Sequence, residues 1–309
     1  MGITRRDFLK YCGVSAAALG LSSLDLIRLE EALANPGGPQ VIWLQGSSCT
    51  GCSMSFLNFI NPATGADPTD AGDILLNHID LLYHPNLMAM SGQSAAAIAE
   101  QAYNAGGYIL AVEGGVPTAF GGRACWAWNY NGQDITFLKV VQDLSARAAK
   151  ILSIGTCASF GGIPAAGPNP TQIKSVSAAT GKSTINIAGC PAHPDWIVYP
   201  IVQLLLNKSI PLDASGRPTD IYGQTVHSMC PRNSYSRAST CLAPRGCRGP
   251  GTYCNCPTLQ WNNKANWCVN ANAPCYACTE PTFPGTASLY AVTYNPHGGT
   301  DLNCDRCHD

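Results

Sequence analysis

The sequence predicts an α/β protein: an open parallel β-sheet with helices on both faces, followed by an irregular region rich in cysteine. Short apolar runs alternate with helical patterns from about residue 40 to 207, as in a parallel sheet covered on both sides. From about residue 208 the periodicity collapses, and Gly, Pro, Asn and Cys dominate. Three of the apolar runs lead directly into cysteines, which places those thiols at the carboxyl ends of strands.

Residues 41–45, 80–83, 108–112, 151–154 and 185–187 read as the strands, each a short apolar run ended by turn residues. Helical patterns lie near 52–60, 93–105, 135–149 and 195–207, with Asp195 placed as an N-cap. The later segment, roughly 100 residues long, has too little regular core to hold itself together and needs staples. Its cysteines, holding metal, are the expected staples. The expected organisation is a targeting segment at 1–34, the sheet domain at 35–207, the cysteine-rich domain at 208–300 and a short tail at 301–309.

Composition agrees with a chain that works beside a partner. Of the 309 residues 46% are hydrophobic and only 12% charged, about half the usual charged share. Surface this poor in charge is expected to lie against another chain, although 31 Gly and 22 Pro also dilute charge. The net charge of −1 gives no reason to expect a nucleic-acid partner. Sixteen cysteines are too many to be incidental and too few for a pure disulfide scaffold.

The N-terminus reads as an export signal. Thr4-Arg5-Arg6-Asp7-Phe8-Leu9-Lys10 fits a twin-arginine motif, a small-residue apolar stretch follows, and Ala32-Leu33-Ala34 fits a cleavage site. The expected location is therefore periplasmic. Elsewhere no stretch reaches the ~18 apolar residues of a membrane span, so any membrane association would come through a partner.

Three constellations carry metal chemistry. The first is Cys49, Cys52, Cys157 and Cys190, in Ser48-Cys49-Thr50-Gly51-Cys52, Gly155-Thr156-Cys157-Ala158 and Gly189-Cys190-Pro191. Strand ends of an open α/β sheet share one crest where ligands bind, so these four thiolates would converge as a four-iron cluster requires. Zinc or disulfides are the alternatives. The second is His227, Cys230, Cys241 and Cys247, three thiolates and an imidazole suited to zinc or a cluster. A neutral His in place of a thiolate makes a cluster less negative and raises its potential. The third is Cys256, Cys268, Cys275 and Cys278, where four thiolates favour a complete cubane and three would favour one lacking an iron.

Together these blocks resemble the small subunit of [NiFe] hydrogenases, including the selenium-containing branch. The resemblance covers nearly the whole chain. It runs through the export motif, Cys49-Thr50-Gly51-Cys52, Glu113-Gly114-Gly115-Val116-Pro117, Gly155-Thr156-Cys157-Ala158-Ser159-Phe160-Gly161-Gly162 and Gly189-Cys190-Pro191-Ala192-His193-Pro194. It continues through Gly223-Gln224-Thr225-Val226-His227 and Gly246-Cys247-Arg248-Gly249-Pro250.

The resemblance implies a flavodoxin-like N-terminal domain and a cluster-built C-terminal domain. It implies a proximal cluster on Cys49, Cys52, Cys157 and Cys190, facing the nickel–iron site of a separate large subunit. A medial cluster would follow on Cys256, Cys275 and Cys278, and a distal one on His227, Cys230, Cys241 and Cys247. The implied role is to carry electrons from H2 oxidation in the large subunit to a c-type cytochrome or membrane acceptor, with no activity alone. Many family members carry Pro where this chain has Cys268, so a [4Fe-4S] medial cluster is expected here and three [4Fe-4S] clusters in all. Gly51 and Gly162 stand where oxygen-tolerant members add cysteines, so an ordinary proximal cubane and oxygen sensitivity are expected. Ser48 replaces a frequent Glu, whose role does not carry over.

The tail Cys304-Asp305-Arg306-Cys307-His308 fits the C-x-x-C-H pattern of covalent c-type haem, with thioethers at the two cysteines and His308 as iron ligand. A disulfide or a free thiol pair is the alternative. Glu113, on the same crest as the first cysteine set, reads either as a group facing the large subunit or as a hydrogen-bonding one. Cys125, Cys254, His78, His84 and His297 read as structural, His193 as a residue near the metal or at the surface, and Cys12 as part of the removed signal. Two other functions fit parts of the sequence: an exported iron–sulfur electron-transfer module, and a zinc- or disulfide-stapled binding protein.

Overall fold

The computed structural model describes residues 38–60, 69–233 and 240–285. The export motif, Cys12, His297 and the candidate haem residues Cys304, Cys307 and His308 lie outside these.

Five strands form the central sheet: β1 (Gln40–Gln45), β2 (Asp80–Tyr83), β3 (Ile109–Glu113), β4 (Lys150–Ile154) and β5 (Ile185–Ile187). Their order is β2-β1-β3-β4-β5 and every pairing is parallel. This is the flavodoxin-like order, in which the direction of winding reverses between β1 and β3. Each strand sits within a residue or two of its expected place. Parallel strands buried on both faces must be apolar throughout, and that is what the sequence runs record.

The two faces separate cleanly by the alternation of side chains along a strand. Val41, Trp43, Ile109, Ala111, Leu152, Ile154 and Ile187 point to one face, where they pack with Phe56 of α1 (Gly51–Leu57) and with Trp196, Ile197 and Ile201 of the C-terminal helix Pro194–Leu205. Ile42, Leu44, Leu110, Val112 and Ile151 point to the other. There they meet Ala95, Ala99 and Ala102 of α2 (Gly92–Ala105) and Phe137, Val140, Val141 and Leu144 of α3 (Phe137–Arg147). The stretch read as a helix from 135 begins instead at Phe137, capped by the Thr136 side chain. Ahead of it Trp126–Tyr130 and Gln133–Thr136 form a hairpin around Asn131 and Gly132, both at positive φ as a tight two-residue turn demands.

α4 (Gly155–Phe160) leaves the end of β4, and Pro194–Leu205, now α5, follows β5. Asp195 is not the N-cap of α5. His193 fills that place, its Nδ1 accepting the Asp195 N–H at 3.2 Å, because Pro194 occupies the first helical position, for which its fixed φ suits it.

Beyond α5 regular structure shrinks to single turns such as Thr219–Tyr222, Val226–Met229 and Cys256–Leu259. The apolar core of the α1/α5 face nevertheless runs on without a break through Tyr222, Val226, Leu242, Leu259, Trp267 and Val269. The Tyr222 hydroxyl donates to the Ala188 carbonyl at 2.7 Å, fastening this region to the end of β5.

Leu110 is fully buried on the central strand, whereas Leu76 is 83% exposed. Leu110→Ala should cost about 2–5 kcal/mol and visibly lower the thermal midpoint followed by circular dichroism. Leu76→Ala should change stability by less than about 0.5 kcal/mol.

Candidate metal centres

The crest of the sheet at the β1/β3 reversal is where the first thiols sit. β1 ends in a short crossing, Ser47 pairing with Gly115 through N–H···O bonds of 3.1 and 3.0 Å. Cys49 follows, exposed, and Thr50 at φ +66 turns the chain into α1, so that Cys52 lies in the first turn.

Glu113, the last residue of β3 and 1% exposed, fixes that turn. Its carboxylate accepts the backbone N–H groups of Cys52 at 3.0 Å and Ser53 at 3.1 Å, the Ser53 hydroxyl, and the Trp43 indole N–H at 3.2 Å. A carboxylate at a helix N-terminus satisfies donors that the helix leaves open. Of its two expected roles the structure shows the hydrogen-bonding one. His84 extends the network: its Nδ1 accepts the Asn86 N–H, which leaves Nε2 to donate to the Ser53 hydroxyl at 3.2 Å. Burial lowers the His84 pKa to about 4, so the ring is neutral.

Cys157 and Cys190 arrive from β4 and β5. Gly155 has φ +82, and a Cβ there would lie 2.5 Å from Cys52 Sγ. Only glycine lets the Cys157 turn pass so close to the first thiol pair. Thr156 N–H donates to Gly189 O at 2.9 Å and Gly189 N–H to Thr156 Oγ1 at 2.8 Å, pinning the two turns together. Cys49 and Cys52 each lie within electrostatic reach of Cys157 and Cys190, which are within reach of each other. Gly162, at φ +54, crowds Cys157 and has no side chain to add.

Among the later cysteines, Cys230, Cys241 and Cys247 form a second group. His227 lies on the neighbouring turn: a Cβ on Gly249 would stand 3.4 Å from Cys247 Sγ and 3.7 Å from the His227 backbone N. Burial lowers the His227 pKa, which favours a neutral imidazole. Cys256, Cys275 and Cys278 form a third group. Cys268 is exposed at its edge, within reach of Cys254 and Cys247. The structure also brings Cys254 into this third group, its Sγ 3.5 Å from Cys256 Sγ. Sequence alone marks Cys254 as a structural thiol, and the signal for its place here is that it opens Cys254-Asn255-Cys256.

The groups touch in series. The Cys190 backbone N–H lies against the Cys278 thiol, and the Thr156 hydroxyl donates to the Cys278 carbonyl. The Cys275 N–H donates to Cys247 Sγ at 3.2 Å. Arg217, 5% exposed, clamps the third group from behind through ion pairs to Asp213 at 2.8 Å and Glu280 at 3.0 Å.

The donor chemistry fits iron–sulfur ligation. Burial pushes the thiols of Cys52, Cys157, Cys190, Cys230, Cys275 and Cys278 up, those of Cys157 and Cys275 to about 12. Such thiols ionise only with a cation to balance them. The backbone is already arranged for the ionised form. N–H groups of Ala192, Ile163, Ala277, Arg232 and Ala243 aim at the sulfurs of Cys52, Cys157, Cys275, Cys230 and Cys241 respectively. Among the described residues no three His, Cys, Asp or Glu side chains gather tightly enough for a single metal ion. A cubane holds its thiolates on separate irons, farther apart than a zinc tetrahedron does. None of the thirteen cysteines within the described residues is in a disulfide.

Comparison with known proteins finds two matching family models. Residues 49–204 match the family model for the NADH ubiquinone oxidoreductase 20 Kd subunit, and residues 222–291 match that for the C-terminal region of the NiFe/NiFeSe hydrogenase small subunit. The chain is 39% identical to the periplasmic [NiFe] hydrogenase small subunit of Solidesulfovibrio fructosivorans, over 94% of this chain and 93% of that one. It is 37% identical to the periplasmic [NiFeSe] hydrogenase small subunit of Desulfomicrobium baculatum, over 94% and 99%. A solved structure of the reduced, active Ni-Fe-Se hydrogenase from Desulfomicrobium baculatum superposes with a TM-score of 0.73 at 36% identity, covering 80% of this chain and 96% of that one.

The buried His84 gives a pH test. Its folded pKa, about 4, lies below the ordinary value of 6.5, so between those values the unfolded chain takes up a proton that the folded chain does not. Its contribution to stability is intact above about pH 6.5 and falls as pH drops towards 4, by up to about 3 kcal/mol. Thermal midpoints of the parent should therefore fall more steeply over that window than those of His84→Gln.

Proposed function

The chain belongs to the family of [NiFe] and [NiFeSe] hydrogenase small subunits, and from that premise we propose that it is the electron-transfer subunit of an H2-oxidising heterodimer, holding three [4Fe-4S] clusters in series. Cys49, Cys52, Cys157 and Cys190 hold the proximal cluster, Cys256, Cys268, Cys275 and Cys278 the medial one, and His227, Cys230, Cys241 and Cys247 the distal one. The observation that most supports this is that successive cysteine sets adjoin: the Thr156 hydroxyl, beside Cys157, donates to the Cys278 carbonyl, and the Cys275 N–H donates to Cys247 Sγ at 3.2 Å. Continuity of this kind suits electrons passing from the sheet crest towards His227.

Bound iron–sulfur clusters supply one-electron redox chemistry. The protein's part is to set where and at what potential. Each backbone N–H aimed at a sulfur favours the more negative, reduced state and so raises the potential. At the distal set the neutral His227 works in the same direction. At the proximal set Glu113 holds the Cys52 turn rigid, and Gly155 keeps the space beside Cys52 clear. The proximal set opens to the surface at Cys49, beside exposed Met54, Leu57 and Ile163, and this is the face offered to the large subunit that carries nickel and iron. H2 is split there, so this subunit is inactive alone.

The chain is read as exported through its twin-arginine segment (1–34), with a sheet domain (35–207), a cluster domain (208–300) and a tail (301–309) that takes a c-type haem on Cys304, Cys307 and His308. The acceptor is a c-type cytochrome or a membrane-bound carrier. A subunit with one cluster, the alternative raised by the match over residues 49–204, has no use for the second and third cysteine groups.

The heterodimer purified anaerobically should hold about twelve non-haem irons per small subunit and show a pyridine haemochrome band of c-type. About four irons, or zinc in their place, would overturn the proposal; twelve irons without the band would remove the haem alone. Cys268→Pro should release one iron and bring out the EPR signal of an oxidised three-iron cluster. An unchanged four-iron medial cluster in that variant would remove Cys268 from the ligand set.

A further inference from the structure

Five thiols, not four, gather at the third group, and Cys254 is the extra one. It is 2% exposed, and Cys256, Cys268, Cys275 and Cys278 all lie within its electrostatic reach. Its Sγ is 3.5 Å from Cys256 Sγ, a hydrogen-bonding distance for sulfur at which either thiol can hold the proton until iron on Cys256 makes that sulfur the acceptor. Two thiolates bound to different irons of one cubane stand well apart, so this contact excludes that both ligate as placed. A thiol next to a ligating thiolate has a different use, because S–H is a donor and the thiolate an acceptor.

The placement is held on the backbone side as well. Tyr253 N–H donates to Glu280 Oε1 at 2.7 Å, and the Thr279 hydroxyl donates to the Tyr253 carbonyl at 3.2 Å. Glu280 is in turn paired with Arg217. These bonds fix the backbone beside Cys254, from which its thiol reaches Cys256 Sγ.

We propose that Cys254 is a positioning residue of the medial centre, whose S–H donates to the Cys256 thiolate and raises the potential of the cluster held there. The inference rests on the medial cluster proposed above. Donation withdraws electron density from the ligating sulfur and stabilises the reduced state, which carries the extra negative charge. Cys254 is buried and Cys256 half-buried, and a donor is worth more there than in water.

The test is a potentiometric titration of the anaerobic heterodimer followed by EPR, in the parent and in Cys254→Ala, Cys254→Val and Cys254→Ser. Alanine and valine remove the donor and should lower the medial midpoint while leaving iron per subunit as in the parent. Valine nearly fills the thiol's volume, so the comparison survives if alanine does not assemble. Serine restores a donor and should return the midpoint towards that of the parent. A midpoint unmoved by both apolar variants would overturn the proposal, as would loss of iron from them, which would make Cys254 a ligand. A parent with no medial cluster signal would instead overturn the functional reading on which the inference rests.

Discussion

Burying sulfur that has to carry negative charge is the constraint on which the rest of the structure depends. Desolvation pushes seven of the proposed ligand thiols up, Cys268 among them and two of them to about 12, and a thiol in that state is neither a good metal ligand nor part of an electron path. The chain answers with backbone N–H groups aimed at sulfur: from Ala192 and Ile163 at the sheet crest, from Arg232 and Ala243 at the His227 group, and from Ala277 and Cys190 at the group between. The remaining charge is left for iron to balance. The scarcity of helix and strand among the described residues after 208 makes sense on these terms, because irregular backbone has N–H groups free to point at sulfur, whereas regular structure uses them internally.

The sheet makes the first of these sites possible. Winding reverses between β1 and β3, which opens a crevice above their carboxyl ends. Cys49 and Cys52 leave from β1, and Glu113 at the end of β3 ties down their turn. Cys157 and Cys190 come from the next two strands along the same crest. The α1/α5 core then continues into the cysteine-rich region, so the second and third groups are seated against the first by ordinary apolar packing and by Thr156. Within the cysteine-rich region, buried Arg217 is ion-paired to Asp213 and Glu280 and donates to the Thr279 carbonyl.

Much of this was legible in the sequence for identifiable reasons. Buried parallel strands must be continuous apolar runs, and glycine must follow where a turn passes close to a thiol, so 151–154 followed by Gly155 announced both a strand and a site. Local competition was harder to read. Pro194 took the first helical position and moved the cap from Asp195 to His193. The Asn131-Gly132 pair carried a hairpin signal inside a stretch that reads simply as the approach to a helix. The role of Glu113 stays open between two readings in the sequence, because only the folded register shows its carboxylate meeting the Cys52 and Ser53 amides. Cys254 escapes a sequence reading because spacing cannot show that the Cys254 and Cys256 side chains meet.

The central claim is that three iron clusters lie in series along this chain. It is tested most directly by an anomalous-scattering map recorded at the iron edge from crystals of the heterodimer. The account predicts three iron peaks within this subunit, one at Cys49, Cys52, Cys157 and Cys190, one at Cys256, Cys275 and Cys278, and one at His227, Cys230, Cys241 and Cys247, with the second lying between the other two. A missing peak at any of the three, or density that scatters at the zinc edge instead, would contradict it.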